Sequence, residues 1–203
     1  LRARYVVGCD GAGSMVRQEL GLDFVGTTWP ERFIATNIYY DFTKWGYKRS
    51  ELVVDKRDGA IICIISPDDL WRCTYMEDAS LPLETYEERI ADAFQRVLPG
   101  DQDYRIDASS PYRMHQRSAE RYRVGRVVLA GDAAHATNPT GGLGLTSGLF
   151  DSYALVPLLS AIVMEGADPD LLDRYSEARK HTFENVASPQ ASWNKLFLFH
   201  ECN

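Results

Sequence analysis

The sequence predicts an α/β fold interrupted by an antiparallel sheet, and three observations carry that prediction. Residues 126–130, apolar throughout after Arg126 and bounded by Gly125 and Gly131, have the pattern of a strand buried on both faces. A second short apolar run, 5–9, leads through a glycine-rich turn into helical spacing at 15–20. Between them lie segments rich in Ile, Tyr and Thr, separated by turn residues, as in a meander of antiparallel strands.

Taken in order, residues 5–9 read as a strand, 10–14 as a turn and 15–20 as a helix that Gly21 closes. Strands follow at 32–42, 51–55, 60–66 and 70–77, with Asp58-Gly59 and Pro67-Asp68-Asp69 supplying hairpin turns. Residues 85–98 give an amphipathic helix: Ile90, Phe94, Val97 and Leu98 recur at helical spacing opposite Glu87, Glu88 and Asp92, and Pro99-Gly100 ends it. Residues 104–116 read as extended, with an interruption at Pro111. Residues 144–164 are helical with a kink at Pro157, and 170–185 form a second helix. Beyond Pro189, the apolar Trp193, Leu196, Phe197, Leu198 and Phe199 require cover. The layout is therefore a discontinuous α/β domain (1–26 and 121–165), a β-sheet domain inserted at 27–120, and a C-terminal helical segment at 166–203.

With 203 residues, 45% of them hydrophobic, the chain can bury one good core or two small ones. A net charge of -7 argues against nucleic acid or an anionic membrane as partner, since phosphates would be repelled. No apolar run approaches the roughly 18 residues of a membrane helix, and the N-terminus lacks a signal-peptide pattern. Cys9, Cys63, Cys73 and Cys202 are scattered without a CxxC pair. That spacing leaves a disulfide open, but free thiols in a reducing cytosol are the expectation. The expected protein is globular and cytoplasmic.

The chemistry concentrates at Gly131-Asp132 and Pro139-Thr140-Gly141-Gly142-Leu143-Gly144. A strand that ends in Asp delivers a carboxylate to the C-terminal edge of a sheet, where α/β folds bind ligands. Such a carboxylate takes short, strong hydrogen bonds from sugar-type hydroxyls. By itself Asp132 reads more simply as a cap bonding the N–H of Ala134 or His135. The downstream glycines shift the balance. They allow a ligand to approach the backbone, and the helix they open presents free N–H groups and about half a positive charge. His135 lies three residues after Asp132, yet no third ligand is near, and His115, His181 and His200 have no ligand spacing to it, so no metal is expected. No G-x-S-x-G elbow supports hydrolase chemistry.

The Gly-Asp run with its glycine-rich helix entry resembles the second FAD-binding motif of flavin-dependent aromatic hydroxylases, the para-hydroxybenzoate hydroxylase-like monooxygenases. Gly8-Cys9-Asp10-Gly11-Ala12-Gly13-Ser14-Met15-Val16-Arg17 has neither G-x-G-x-x-G spacing nor a P-loop Lys, and in isolation it is a strand-turn-helix with a Ser cap. Beside the later motif it is similar to the family's Asp-Gly signature, Gly-x-Asp-Gly-x-x-Ser-x-Val-Arg, at every fixed position. Some members carry a histidine for NADPH just after Asp-Gly, where this chain has Gly13 and Ser14.

The resemblance implies part of a Rossmann-like FAD-binding domain with an inserted substrate domain. It also implies FAD as cofactor, NADPH or NADH as co-substrate, and hydroxylation of a phenolic or other small aromatic ring with O2 through a flavin C4a-hydroperoxide. Asp10, Gly11, Arg17, Gly131, Asp132, Gly141, Gly142, Leu143, Gly144 and Leu145 would bind the cofactor, and Pro139 would line the reaction side. Tyr39, Arg72, Tyr75 and Arg113 combine aromatic or cationic tips with strand positions and are the candidate substrate contacts. The family's opening βαβ unit with G-x-G-x-x-G has no counterpart here. The chain thus reads as a C-terminal portion, inactive by itself and weak in FAD binding, with association to an N-terminal half or homo-oligomerisation expected. The competing readings are a related flavoprotein reductase or halogenase, although Trp-x-Trp-x-Ile-Pro is absent, and a non-catalytic binding module that keeps the fold without FAD.

Overall fold

Val127, Val128 and Leu129 offer no side chain that water could solvate, and in the computed structural model they form β8 (Val127–Leu129), with Val128 and Leu129 fully buried. The structure describes residues 2–101 and 103–200. β1 (Val6–Gly8) runs parallel to β8, pairing Val6 with Val127 and Gly8 with Leu129, and β7 (Arg123–Val124) pairs antiparallel on the other side. The order of this sheet is β1-β8-β7. A methyl group on Gly8 would stand 2.9 Å from both Leu129 and Val16, so only glycine lets α1 (Met15–Glu19) pack this closely on the strands.

Two compact units emerge, residues 1–28 with 115–193 and residues 29–114 with 194–203. The first contains the parallel strands together with α3 (Leu143–Ser160) and α4 (Leu171–Thr182), around a core of Tyr122, Val128, Leu129, Leu155, Ile162, Leu172 and Tyr175. The second is built on β3 (Ser50–Val53), β4 (Ala60–Ser66), β5 (Leu70–Glu77) and the parts within 29–114 of β2 (Phe24–Tyr39) and β6 (Arg105–Ala119). Their order is β3-β4-β5-β2-β6, and β9 (His135–Ala136) adds to the far end of β6 at Arg117 and Ser118. Pairing of Ile34 with Tyr75, Thr36 with Cys73 and Ile38 with Trp71 puts these residues on one face. That face packs with Ile90, Ala93, Phe94 and Val97 of α2 (Ile90–Val97). Phe33, Met76, Ile61, Tyr112 and Met114 make a second apolar cluster with Leu198 of α5 (Ser188–His200).

The expected elements needed several corrections. β2 begins at Phe24, well before the expected residue 32, because Gly26 and Pro30, which look like breakers, are accommodated within it. It ends at Tyr39, and Phe42–Trp45 is a 3-10 turn whose first amides Asp41 caps. Pro111 does not interrupt β6: among the described residues β9 pairs with that strand at 117 and 118, so Pro111 lies where β6 is a sheet edge, the place in a sheet where proline is tolerated. Only half of the expected helix 85–98 is α-helical, because Leu83–Arg89 is a 3-10 segment with Thr85 at non-helical angles. α3 carries Pro157 in its interior and continues as the π turn Ala161–Glu165. The helix expected at 170–185 does not end there, for the π turn Phe183–Ala187 joins α4 to α5, and Pro189 follows closely on that π turn within the continuous helical run.

The C-terminal helical segment is not a separate body, being part of the first unit to residue 193 and of the second from 194. Of the tail residues that need cover, Leu198 is fully buried while Trp193, Leu196 and Phe197 stay exposed; the Phe199 and His200 side chains and Cys202 lie outside the described residues. Contrary to the expectation from apolar runs, the helix Leu143–Glu165 is long and apolar enough, by length and composition, to cross a membrane. Small polar residues and Asp151 break its runs without making it polar. Much of it is exposed, including Leu145, Leu149, Tyr153, Val156 and Met164.

The loop after β5 is tied down by a buried ion cluster. Both Glu77 oxygens are engaged, one by Arg32 and the other by Arg89 Nε at 2.6 Å, and Arg89 also bonds the Pro82 carbonyl. Burial pushes the Glu77 carboxyl up, but the hydrogen bonds and charges of Arg89 and Arg32 outweigh it and hold it below its ordinary value. A depressed folded value stabilises the protein above the unfolded carboxylate range and loses that contribution as pH falls through the folded value. Glu77→Gln is therefore expected to cost about 3 kcal/mol at neutral pH. In a thermal-melt series, that difference should close as pH falls below roughly 4. A gap that is independent of pH would contradict the assignment.

Candidate functional site

Because β1 and β8 are parallel, their C-terminal ends open on one sheet edge, and a cleft of about 450 Å3 lies there. Cys9 and Gly11 line it from the loop after β1, Ala130, Gly131 and Asp132 from the end of β8, and Gly144, Leu145, Gly148, Leu149 and Ser152 from α3. This volume suits a small organic group. A larger concavity of 610 Å3 lies in the second unit beside Phe94, Asp101 and Tyr104, and none of the sequence-predicted residues lines it.

Asp132 is exposed in the cleft, and its carboxylate has no partner among the described residues. It does not act as the cap that the sequence also allowed, because the Ala134 amide bonds the Gly131 carbonyl at 2.8 Å. Gly131 turns the chain at φ +60, and a methyl on Gly148 would come within 3.2 Å of its Cα. The Gly-Asp turn thus lies directly against α3. The helix begins after Gly141 and Gly142, both at positive φ, with no side-chain cap on its first amides. Gly141, Gly142 and Pro139 are exposed, Leu143 is half-buried, and Gly144 and Leu145 reach the cleft. One free carboxylate and one uncapped helix N-terminus therefore come from adjacent parts of a single site. These residues fit a flavin nucleotide: the carboxylate can take ribityl hydroxyls, and the amides can face electron-rich ring oxygen.

The Asp-Gly motif contributes differently. Gly11 turns at φ +82 and lines the cleft, but Asp10 accepts Ser14 Oγ at 2.5 Å and the Val16 amide at 3.1 Å, so it caps α1. The Ser14 hydrogen bond, followed by that amide, holds its carboxyl below the usual range. Arg17 is buried. Its guanidinium bonds the Ala133 and Ala12 carbonyls at 2.9 and 2.7 Å and stacks on Phe24, so it ties the two motifs together rather than reaching into the cleft. Ser14, at the family's NADPH-histidine region, is buried as the helix cap.

Of the substrate candidates, Tyr39 and Arg72 share the sheet face opposite α2. Arg72 is exposed and bonds Asn37, and Arg105 stacks on the Tyr39 ring. Tyr75 belongs to the other face, buried edge-on against Phe94 under α2, so the sequence-based choice selected a core residue. Arg113 is exposed and bonds the Trp29 carbonyl.

Two supports of the cleft were missed in the sequence. Fully buried Asp151 accepts the Gly131 amide (2.9 Å), His135 Nε2 (2.6 Å) and Arg179 Nε (2.7 Å). Burial opposes its charge, yet His135, Arg179 and the Gly131 amide together keep its carboxyl low. Gln116 Oε1 accepts from the Asn138 amide, Asn138 Nδ2 and Thr137, while its Nε2 bonds Ser188, fixing the segment before Pro139. A lone acid inside an otherwise uncharged helical run was the available signal for Asp151. Nothing local marks Gln116.

Comparison with known proteins points the same way. The FAD binding domain family matches residues 1–189. The chain is 48% identical to 6-hydroxy-3-succinoylpyridine 3-monooxygenase from Pseudomonas putida, covering 97% of this chain and 50% of that protein. It is also 48% identical to para-nitrophenol 4-monooxygenase from a Pseudomonas species, covering 98% and 50%. The crystal structure of p-nitrophenol 4-monooxygenase from Pseudomonas putida superposes with a TM-score of 0.95 at 44% identity, over 100% of this chain and 52% of that one. The chain spans about half the length of the curated relatives it matches.

Proposed function

The chain belongs to the FAD binding domain family, and from that premise we propose that it is part of an FAD- and NAD(P)H-dependent monooxygenase that hydroxylates a phenolic or related aromatic ring. The observation that carries this reading is the Asp132 carboxylate, unpartnered among the described residues, beside the N-terminus of α3, which no side chain caps among them. The names of the relatives support the substrate class.

Bound FAD would supply the redox chemistry, taking a hydride from NADPH or NADH and using O2 to oxygenate the ring. This chain's residues would place and shield it. Asp132 accepts hydrogen bonds from the ribityl chain. The first amides of α3, from Leu143 to Leu145, would stabilise negative charge on the ring system. Pro139 would contribute an apolar, donor-free surface beside the ring, and Gly131 and Gly148 let the Gly-Asp turn pack directly on α3. Tyr39 and Arg72, on the sheet face of the second unit that α2 leaves open, are the candidate contacts for the substrate's polar end. Arg72→Ala is expected to raise the KM for the aromatic substrate several-fold, whereas Tyr75→Phe leaves it unchanged. An unchanged KM in Arg72→Ala would remove that residue from the substrate contacts.

The exposed apolar side of α3 and the open edge of β1 would be covered by the remainder of a full-length protein, as relatives twice this length suggest. Free thiols at Cys9, Cys63 and Cys73 suit a cytoplasmic setting. The test is to purify the full-length protein and follow NADPH and NADH consumption over a panel of phenols. A protein that stays colourless with added FAD, and consumes neither nucleotide with any phenol, would overturn the proposal in favour of a binding module.

A further inference from the structure

We propose that Asp151 is a positioning residue of the flavin site: it locks the Gly131-Asp132 turn to the first turns of α3 without touching the ligand. The inference rests on the flavin reading above for its function, but on geometry alone for its physical content. Asp151 is the one charged residue of α3, and its side chain is fully buried. A buried charge is costly unless donors surround it, and here three do so. Oδ2 accepts both the Gly131 amide and His135 Nε2, while Oδ1 accepts Arg179 Nε.

The Gly131 amide belongs to the residue immediately before Asp132, so the carboxylate fixes the peptide from which the cofactor-binding side chain projects. Arg179 makes the opposite connection. Its Nη2 bonds the Ser147 carbonyl at 3.2 Å, one turn before Asp151, where α3 borders the cleft at Gly148. His135 is oriented by a ring stack on Phe183, with centroids 4.4 Å apart and planes at 19°. The carboxylate facing Nε2 assigns the proton to that nitrogen, while buried Nδ1 has no partner among the described residues. An apolar residue at 151 could pack the helix as well, but it could not take the Gly131 amide. That separates positioning from packing.

The test uses the full-length flavoprotein with Asp151→Asn, which keeps the size but sets an amide donor among three donors. Tyr175→Phe serves as a control, since it removes a core hydrogen bond to the Leu129 carbonyl in the same unit without touching Gly131. Asp151→Asn should weaken FAD binding about tenfold or more by fluorescence titration, and change the visible circular dichroism of the flavin that remains. Tyr175→Phe should lower the thermal midpoint with little effect on either. Equal losses of affinity in the two variants at matched thermal midpoints would reduce Asp151 to a structural role and overturn the inference, as would wild-type affinity in Asp151→Asn. If Asp151→Asn fails to fold, Arg179→Gln should shift affinity and dichroism in the same direction by a smaller factor, and no shift would count against the proposal. Amide hydrogen exchange gives a reading independent of cofactor: protection at Gly131 should fall in the apo variant. Should the wild type bind no FAD, the flavin reading fails while this exchange result still decides whether Asp151 holds the turn.

Discussion

Asp132→Ala in the full-length protein is expected to leave most purified molecules without flavin, while the apo variant melts within about 2 °C of the apo wild type. Both halves of that expectation follow from the same fact. The carboxylate is exposed and unpartnered among the described residues, so removing it breaks nothing in the fold. Against a bound ribityl chain it would make one or two charge-assisted hydrogen bonds of about 1.5–3 kcal/mol each. Their loss corresponds to an affinity drop of roughly ten- to a hundredfold or more. Asp132→Asn, which keeps one acceptor oxygen, should fall between. The ratio of flavin to protein absorbance after purification, followed by titration with FAD, reads the result directly. Unchanged occupancy would take Asp132 out of the site.

Gly26→Ala is expected to do the greatest damage to the fold. Gly26 sits in β2 at φ +141, a conformation that side chains rarely adopt, and an added methyl would overlap the Gln116 carbonyl oxygen and lie 2.9 Å from Arg117 Cα. Both obstacles are backbone atoms of β6, so neither can swing aside. Strain and overpacking together should cost about 3 kcal/mol or more. For a chain of this size that lowers the thermal midpoint by roughly 6–12 °C, if the protein still folds. FAD affinity should fall as well, because displacing Gln116 also disturbs the side chain that holds Asn138. A midpoint within about 2 °C of the wild type would mean that β2 does not approach β6 this closely.

The features legible in the sequence were those whose causes lie within a few residues. The apolar run after Arg126, the turn at Gly131 and the glycines before α3 each act locally, and each appears where its pattern places it. What residues do across the chain was not legible. The resemblance places Arg17 beside the cofactor, but only folding brings the Ala133 carbonyl and Phe24 to it. Tyr75 has the tip of a ligand contact, but alternation leaves the choice of face open, and it was settled by the apolar stripe of α2. Pro111 argued for a break because a lone sequence does not show which strand will be an edge. Asp10 and Ser14 satisfied both a family signature and a capping pattern, and the geometry displays the cap.

The run from α4 through its π turn into α5 contributes nothing to the lining of the cleft, yet it grips both sides of it. Arg179 holds Asp151 behind the Gly-Asp turn, Phe183 braces His135, and Ser188 holds Gln116 behind the segment that leads to Pro139. These three grips lie on one continuous rod, so any event that slackens the rod, such as a proteolytic nick or a substitution that straightens the π turn, releases both jaws together. Loss-of-function changes should therefore scatter along 179–188, a stretch that an inventory of ligand contacts would pass over.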